Sequence, residues 1–313
     1  MTPAAGAAAG ASEATLARSA RVPGWEIAVW AAIAVGVAAL PRHALLVNEI
    51  AILALFALSL DLVLGYAGIV SLGHAAFFGL GAYAAALFAK HVDPDPLGGL
   101  ALATVLAAVL GAACSPMIVR GTDLTRLMVT MGVALVLYEL ANRFDGLTGG
   151  ADGLQGVVMG PLLGRFDFDL GGRVASAYSL ATLFAAFVVV RRVVHSPFGW
   201  SLRALRDNRL RVGAIGLSVN ARLAAAYTLG AALAGAAGAL LAQTTGFASL
   251  DVLDFHRSAD VLMVLVIGGA GWLYGGLVGA IAFKLMHDFL SSITPQYWTF
   301  WIGAMLVVLM LAG

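Results

Sequence analysis

Long apolar segments alternate with short polar ones along nearly the whole chain. A helix needs about 20 predominantly apolar residues to cross the hydrocarbon core of a bilayer, and several segments reach that length. The pattern predicts membrane-spanning helices at 26–41, 46–64, 71–89, 97–118, 124–142, 174–194, 222–243, 258–271, 273–290 and 297–312. The chain is therefore predicted to be an all-α integral membrane protein, a bundle of about 8 to 10 transmembrane helices.

Glycines interrupt this pattern at two places, near 65–71 and near 268–272. The second interruption leaves two interpretations open, because 258–290 could form two short spans or one long tilted helix. The choice between them decides on which side of the membrane the chain ends.

The amino-acid composition is also that of a membrane protein. Of the 313 residues, 61% are hydrophobic and 11% are charged, whereas a soluble domain carries about 25% charged residues. The formal net charge of +1 does not supply the basic surface that nucleic-acid binding needs, so no nucleic-acid partner is predicted. Cys114 is the only cysteine, which excludes an internal disulfide.

The distribution of basic residues predicts the orientation in the membrane. Seven of the 18 Lys and Arg lie between 191 and 222, so this connection is predicted to be cytoplasmic. Counting the predicted spans backwards from this connection places loop 143–173 outside the cell and the N-terminus in the cytoplasm. Residues 1–24 are alanine-rich and are predicted to form a disordered cytoplasmic tail, with 25–313 as one transmembrane domain. The alternative is a cleaved signal peptide, since Arg18 and Arg21 precede an apolar run.

Two classes of chemistry are not supported by the sequence. A P-loop requires a Gly-Lys-Ser/Thr motif to hold phosphates, and the only lysines, Lys90 and Lys284, lie in FAKHV and AFKLM. A metal site requires clustered ligands, but the six histidines are scattered. No catalytic residue, metal or cofactor of the chain's own is therefore predicted.

The stretch GYAGIVSLGHAAFFGLGAY, residues 65–83, combines a helix break with polar side chains. Gly65 and Gly68 free backbone groups that only protein or a watery cavity can satisfy at membrane depth. Ser71 is expected to cap a new helix that places His74 and Phe78 on one face. One interpretation is a transport pathway at mid-depth; the alternative is that the glycines only pack and His74 donates to a neighbouring carbonyl.

The second break, in IGGAGWLYGGLVGAIAF (267–283), resembles the first. Gly271, Gly275 and Gly279 recur every four residues, which favours a tight helix-packing ridge. Paired glycine-interrupted segments are a pointer to a central pathway in transporters. The predicted pathway residues are Asp61, Gly65, Gly68, Ser71, Gly73, His74, Phe77, Phe78, Gly268 and Gly271.

The basic segment 195–220 is long enough for a short amphipathic helix after Pro197, ending at a glycine. It is either a solvated loop or a docking element for a cytosolic partner. The apolar Leu202, Leu205, Leu210 and Ile215 favour docking. The predicted docking residues are Leu202, Arg203, Leu205, Arg206, Asp207, Asn208 and Gly216.

Five ordered blocks carry a family resemblance: 65–83, LTGGADGL (147–154), SPFGWSLRALRDNRLRVGAIGLSV (196–219), ALAGAAGALLA (232–242) and VLMVLVIGGAGWLYGGLVGA (261–280). Together they resemble the permease subunits of branched-chain amino acid ABC importers. The resemblance implies a bacterial inner-membrane protein that works with a second homologous permease subunit, two cytosolic ATPases that bind ATP, and an extracytoplasmic solute-binding protein. It also implies that RALRDN belongs to the helix that couples to an ATPase.

The sequence departs from this family beside RALRDN, where Arg209 and Val212-Gly213 replace expected acidic residues, and it ends at Gly313 without an expected arginine-containing tail. Three further hypotheses stay open. The substrate could be urea or an aromatic carboxylate. The chain could be a stand-alone secondary transporter with Asp61 and His74 as a proton relay. It could also be an intramembrane hydrolase with a Ser71–His74 dyad.

Overall fold

The computed structural model describes residues 43–169 and 171–293, together with Gly24, Glu26, Trp30, Phe300, Trp301, Gly303 and Ala304. The predicted tail 1–24 and the predicted spans 26–41 and 297–312 lie almost entirely outside these described residues. The helices are α1 Ala44–Asp61, α2 Ala75–His91, α3 Pro96–Arg120, α4 Asp123–Arg143, α5 Asp145–Thr148, α6 Arg173–Val194, α7 Pro197–Asp207, α8 Arg209–Ala214, α9 Val219–Thr245, α10 Phe255–Gly268 and α11 Gly275–Ile293.

The helical spans predicted between residues 46 and 290 are confirmed. Six helices are long and apolar enough to cross a membrane: α1 with its extension to Tyr66, α3, α4, α6, α9 and α11. α2, with 17 residues, and α10, with 14 residues, are shorter. Because α10 ends at Gly268 and α11 begins at Gly275, residues 258–290 form two helices rather than one. The protein is an all-α integral membrane protein, as predicted.

α9 is the centre of the bundle, and glycines let its neighbours approach closely. A Cβ added at Gly238 would lie 1.8 Å from the Phe78 carbonyl oxygen of α2, and one at Gly235 would lie 2.3 Å from the Ala107 Cβ of α3. A Cβ at Gly230 would lie 2.4 Å from a methyl group of Val63. Gly230, Gly235 and Gly238 therefore serve close helix packing.

Connections gather at two opposite ends of the bundle, which we call the loop end and the basic end. At the loop end, Leu154 pairs with Ala248, and the Gly160 N–H donates to the Pro94 carbonyl at 2.9 Å. The basic end comprises the α6–α9 connection and both helix breaks. The loop end is rich in acidic residues, among them Asp93, Asp95, Asp152, Asp169, Asp251 and Asp254. The basic end is rich in arginines, among them Arg120, Arg192, Arg203, Arg206, Arg209 and Arg211.

A buried polar network ties four helices together near the loop end. The Ser179 hydroxyl donates to the Asn48 side chain at 2.6 Å, and Asn48 donates to the Thr244 hydroxyl at 3.0 Å. The Tyr178 hydroxyl donates to the Gln243 side chain at 3.0 Å, and Gln243 donates to the Pro96 carbonyl at 2.7 Å, which links α3, α6 and α9. Buried hydrogen-bonded groups of this kind specify one arrangement of the helices, because any other arrangement would leave them unpaired.

Candidate functional site

The first helix break forms as predicted from its glycines. α1 widens into a π-helical turn over Leu62–Tyr66 and then stops. Gly68 adopts a φ of 66°, a left-handed conformation that favours glycine, and its N–H donates to the Leu64 carbonyl at 3.1 Å. A Cβ at Gly65 would lie 2.0 Å from Asp61 Oδ1, so this position has room for glycine alone.

The second break lies directly against the first. After α10, Gly269 and Gly271 adopt φ values of 91° and 80°. The Gly271 N–H donates to Asp61 Oδ1 at 2.7 Å. Asp61 is 1% exposed, so this carboxylate is buried where the two breaks touch. The two breaks, which resemble each other in sequence, are therefore in direct contact.

The α10–α11 hairpin uses part of the predicted glycine ridge. A Cβ at Gly275 would lie 2.1 Å from the Gly269 carbonyl oxygen, and one at Gly279 would lie 2.0 Å from that of Val264. These two positions confirm the predicted close packing. Gly271 precedes α11 and contacts the first break instead, so its predicted place in the ridge is wrong.

The basic segment contains the predicted amphipathic helix. α7 begins at Pro197, and the Ser196 hydroxyl accepts from the Gly199 N–H at 3.4 Å. The Asn208 side chain accepts from the Arg211 N–H at 3.0 Å and starts the short α8, after which Gly216 adopts a φ of 84°. Serine, asparagine and proline at these positions are the usual start signals of helices.

The apolar residues of this segment divide between two surfaces. Leu202 and Leu205 are fully buried and hold α7 against the bundle, so their predicted place on an exposed docking surface is wrong. Leu210 and Ile215 are 88% and 70% exposed and remain available to a partner. An amphipathic helix can face either way, and here the apolar side of α7 faces the bundle.

Two arginines of this segment bind the first break. The Arg206 guanidinium donates through Nη1 to the Gly65 carbonyl, and Arg209 donates through Nη2 to the Gly68 carbonyl at 3.1 Å. The Arg203 guanidinium lies 5.2 Å from the centre of the Tyr66 ring. Cations are stabilised at the carbonyl end of a helix, where carbonyl groups lack intrahelical partners.

These contacts change the interpretation of the break. The carbonyls of Gly65 and Gly68 are occupied by arginines at the basic end of the bundle. The place of these groups along a pathway at mid-depth stays a prediction, but the expectation that the two carbonyls are free is wrong. The reason is that a basic segment more than a hundred residues away in sequence folds back onto them.

The polar residues after the break are closed off from solvent. Ser71 and His74 are 1% and 0% exposed, and α2 begins only at Ala75. The Ala75 N–H donates to the Ser258 hydroxyl of α10 at 2.9 Å, so the predicted capping by Ser71 is wrong. A Cβ at Gly73 would lie 1.8 Å from the Thr130 carbonyl oxygen, which brings α4 against this segment.

The His74 ring lies in an aromatic layer. It stacks on Phe56 with ring centres 5.8 Å apart and meets Phe77 edge-on at 5.8 Å, while Phe56 and Phe78 are 4.6 Å apart. Its Nε2 lies 2.9 Å from the Ser59 hydroxyl oxygen, and Ser59 donates to the Phe56 carbonyl at 2.6 Å. Ser59, rather than Ser71, is thus the hydroxyl partner of His74, and the hypothetical Ser71–His74 dyad is not assembled. A pathway role for His74, Phe77 and Phe78 stays a prediction.

The structure also contains a cavity of about 130 Å³ at the loop end, which the sequence analysis missed. One face of α4 and the segment that enters α10 form its walls. The lining residues are Met131, Ala134, Leu135, Tyr138, Leu253, Asp254 and Phe255. The spacing of the α4 members is a sequence signal of a shared helix face, but residues 253–255 join them only through the fold.

Comparison with known proteins identifies relatives over most of the chain. The family model for the permease component of branched-chain amino acid transport systems matches residues 43–310. The permease protein LivM of the high-affinity branched-chain amino acid transport system of Escherichia coli K12 is 28% identical over 279 residues, which cover 81% of this chain and 64% of LivM. The permease protein LivH of the same system in the same strain is 22% identical over 276 residues, which cover 82% of this chain and 88% of LivH.

A further relative shows similar coverage. The probable branched-chain amino acid transport permease protein LivM of Methanocaldococcus jannaschii is 24% identical over 277 residues, covering 75% of this chain and 77% of the relative. No solved structure gives a significant match. The chain spans just under two thirds of the length of the bacterial LivM proteins it matches.

Proposed function

The chain belongs to the family of permease components of branched-chain amino acid transport systems, and on this premise we propose that it is the membrane-spanning permease subunit of an ABC importer. Its substrate is a branched-chain or similar apolar amino acid. The proposal includes a second homologous permease subunit, two cytosolic ATPases that bind the ATP, and an extracytoplasmic solute-binding protein. The names of the relatives support the substrate class, and the sequence lacks a P-loop of its own.

The observation that carries the proposal is the contact between α7 and both helix breaks. Arg206 and Arg209 donate to the carbonyls of the first break, at Gly65 and Gly68. Beside them, Asp61 accepts from the Gly271 N–H of the second break. An ATPase that displaces α7 would therefore pull on the ends of α1 and α10 together. A solvated loop without function would not need this set of bonds between distant segments.

Part of this segment remains free to receive an ATPase. Leu210, Ile215 and the Asp207 side chain are exposed on the side of α7 and α8 away from the bundle. An apolar centre with charged neighbours is the usual composition of a specific protein interface. Arg209, where the family resemblance leads us to expect an acidic residue, donates to the Gly68 carbonyl on the bundle side.

The charge distribution supports an orientation in the bacterial inner membrane. With the arginine-rich end in the cytoplasm, α7 and α8 meet the ATPases and the N-terminus is cytoplasmic. The acidic loop end, including 143–173, then faces the solute-binding protein. The alternative substrate class is urea or an aromatic carboxylate.

Reconstitution in proteoliposomes tests the proposal. The chain is assembled with its partner permease, ATPases and binding protein, and uptake of radioactive leucine and urea is measured with and without ATP. We expect leucine uptake that requires both ATP and the ATPases. Leucine uptake by the chain alone under a proton gradient would instead establish a secondary transporter, and urea uptake alone would change the substrate.

A further inference from the structure

The cavity at the loop end has the shape and chemistry of a small binding site. Its walls are mostly apolar: Met131, Ala134, Leu135 and Tyr138 from α4, with Leu253 and Phe255 opposite. An apolar cavity of about 150 Å³ in a protein accommodates benzene. A cavity of about 130 Å³ therefore has room for the branched side chain of an aliphatic amino acid.

One carboxylate stands at the wall of this apolar space. Asp254 Oδ1 accepts from the His256 N–H at 2.9 Å and lies 2.9 Å from His256 Nδ1. Hydrogen bonding by the His256 backbone and side chain lowers the pKa of Asp254, so the carboxylate is charged at neutral pH. Oδ2 has no hydrogen-bond partner among the described residues, and the Asp254 side chain is 39% exposed.

The Arg257 side chain forms its ion pair with a different carboxylate. Arg257 donates through Nε and Nη2 to Asp251 Oδ2, at 3.0 Å and 2.6 Å. The cavity wall therefore presents the unpaired Oδ2 of a carboxylate whose other oxygen is held by His256, beside an apolar space. An ammonium group next to a short apolar side chain is the ligand chemistry that complements this arrangement.

We propose that this cavity is the first substrate site of the permease, where the side chain of an apolar amino acid packs between α4 and Leu253 while its ammonium pairs with Asp254. The inference rests on the proposed function and deepens it. The position supports it, since α4 and the 250–255 segment lie at the end proposed to receive substrate. Among the six long membrane helices, α4 is also one of the least covered by the rest of the chain, since only 22% of its most apolar 18-residue stretch is buried.

Protection of an introduced cysteine tests this site in the assembled transporter. Cys114 is buried and is first replaced by serine. Met131→Cys then places a thiol in the cavity wall, and Val136→Cys places one on another exposed face of α4 as the matched control. The rate of alkylation by a charged thiol reagent is measured with leucine and with 4-methyl-2-oxopentanoate, which keeps the side chain but lacks the ammonium.

We expect leucine at twice its dissociation constant to slow alkylation of Met131→Cys about threefold. It should leave Val136→Cys unchanged, and Asp254→Asn should remove the protection. The oxo acid should protect poorly. Equal protection by the oxo acid, or protection that survives Asp254→Asn, would overturn the role of Asp254. No protection in a transporter that still imports leucine would overturn the site and leave the proposed function intact, whereas absence of leucine import would overturn the proposed function itself.

Discussion

The Asp61 carboxylate accepts a hydrogen bond from the Gly271 N–H at 2.7 Å, across 210 residues of chain. The bond joins the end of α1 to the turn after α10. Gly65 lies beside it with space for no side chain, since a Cβ there would meet Asp61 and Gly271 together. The two breaks therefore act as one unit, to which Arg206 of α7 is attached through the Gly65 carbonyl.

Gly65→Ala should destabilise this unit. The added methyl group would lie 2.4 Å from the Gly271 nitrogen, so the two breaks must separate or Asp61 must move. Overpacking of this kind costs about 1–3 kcal/mol. The measurement is the unfolding temperature of the purified protein in detergent. Gly132→Ala in α4 is the matched control, because nothing lies within 4 Å of the added Cβ, and it should not lower that temperature. Equal unfolding temperatures for both variants would contradict the contact between the breaks.

Arg206→Glu should uncouple ATP hydrolysis from uptake. The substitution replaces a donor to the Gly65 carbonyl with an acceptor and puts a second carboxylate near Asp61. The complex should still assemble, since Leu202 and Leu205 hold α7 to the bundle. ATPase activity and leucine uptake are measured on the same proteoliposomes. Arg192→Glu, an exposed arginine at the same end, serves as control and should keep both activities. Normal coupled uptake by Arg206→Glu would exclude Arg206 from the coupling route.

His74→Leu and Ser59→Ala should act on stability as a coupled pair. Each removes the bond between His74 Nε2 and the Ser59 hydroxyl, and a buried hydrogen bond contributes about 1 kcal/mol. The double variant should therefore lose less stability than the sum of the single losses. Chemical denaturation of all four proteins measures this. Leucine uptake by His74→Leu tests the pathway hypothesis separately: uptake like that of the unchanged protein would make His74 a packing residue.

Gly79→Leu should prevent normal folding of the subunit. A Cβ at Gly79 would already lie 2.3 Å from a methyl group of Leu253, and 3.1 Å from the Val252 carbonyl oxygen. A larger side chain forces α2 away from the 3₁₀ turn at Leu250–Leu253. Yield and elution profile after membrane extraction are the measurements. A monodisperse product in normal amount would show that α2 and the 3₁₀ turn can move apart without preventing folding.

Thiol labelling should place the two ends of the bundle on opposite sides of the membrane. In the Cys114→Ser background, Ala151→Cys at the loop end should react with an impermeant reagent added outside intact cells. Ile215→Cys, exposed at the basic end, should react only after the membrane is opened. The reverse pattern would invert the proposed orientation, and with it the sides assigned to the ATPases and the binding protein.

The sequence by itself determined the helices and their breaks. Apolar segments of membrane-spanning length need satisfied backbone groups, so each predicted span between 46 and 290 is a helix. The breaks at Gly65–Gly68 and Gly268–Gly271 were also predictable, because glycine readily adopts the left-handed conformation that ends a helix, as Gly68, Gly269 and Gly271 do. Pro197 marked the start of α7, but the predicted end at a glycine is wrong for α7, which ends at Asp207, and Gly216 follows α8 instead.

Only the tertiary structure decided which groups meet. Three features depend on contacts between segments far apart in the chain. Arg206 and Arg209 donate to the carbonyls of the first break. Ser258 rather than Ser71 caps α2, and Leu202 faces inward. The cavity beside Asp254 likewise exists only where α4 meets the 250–255 segment. Local patterns report which backbone groups need partners, but the choice among distant partners is made by the packing of the helices.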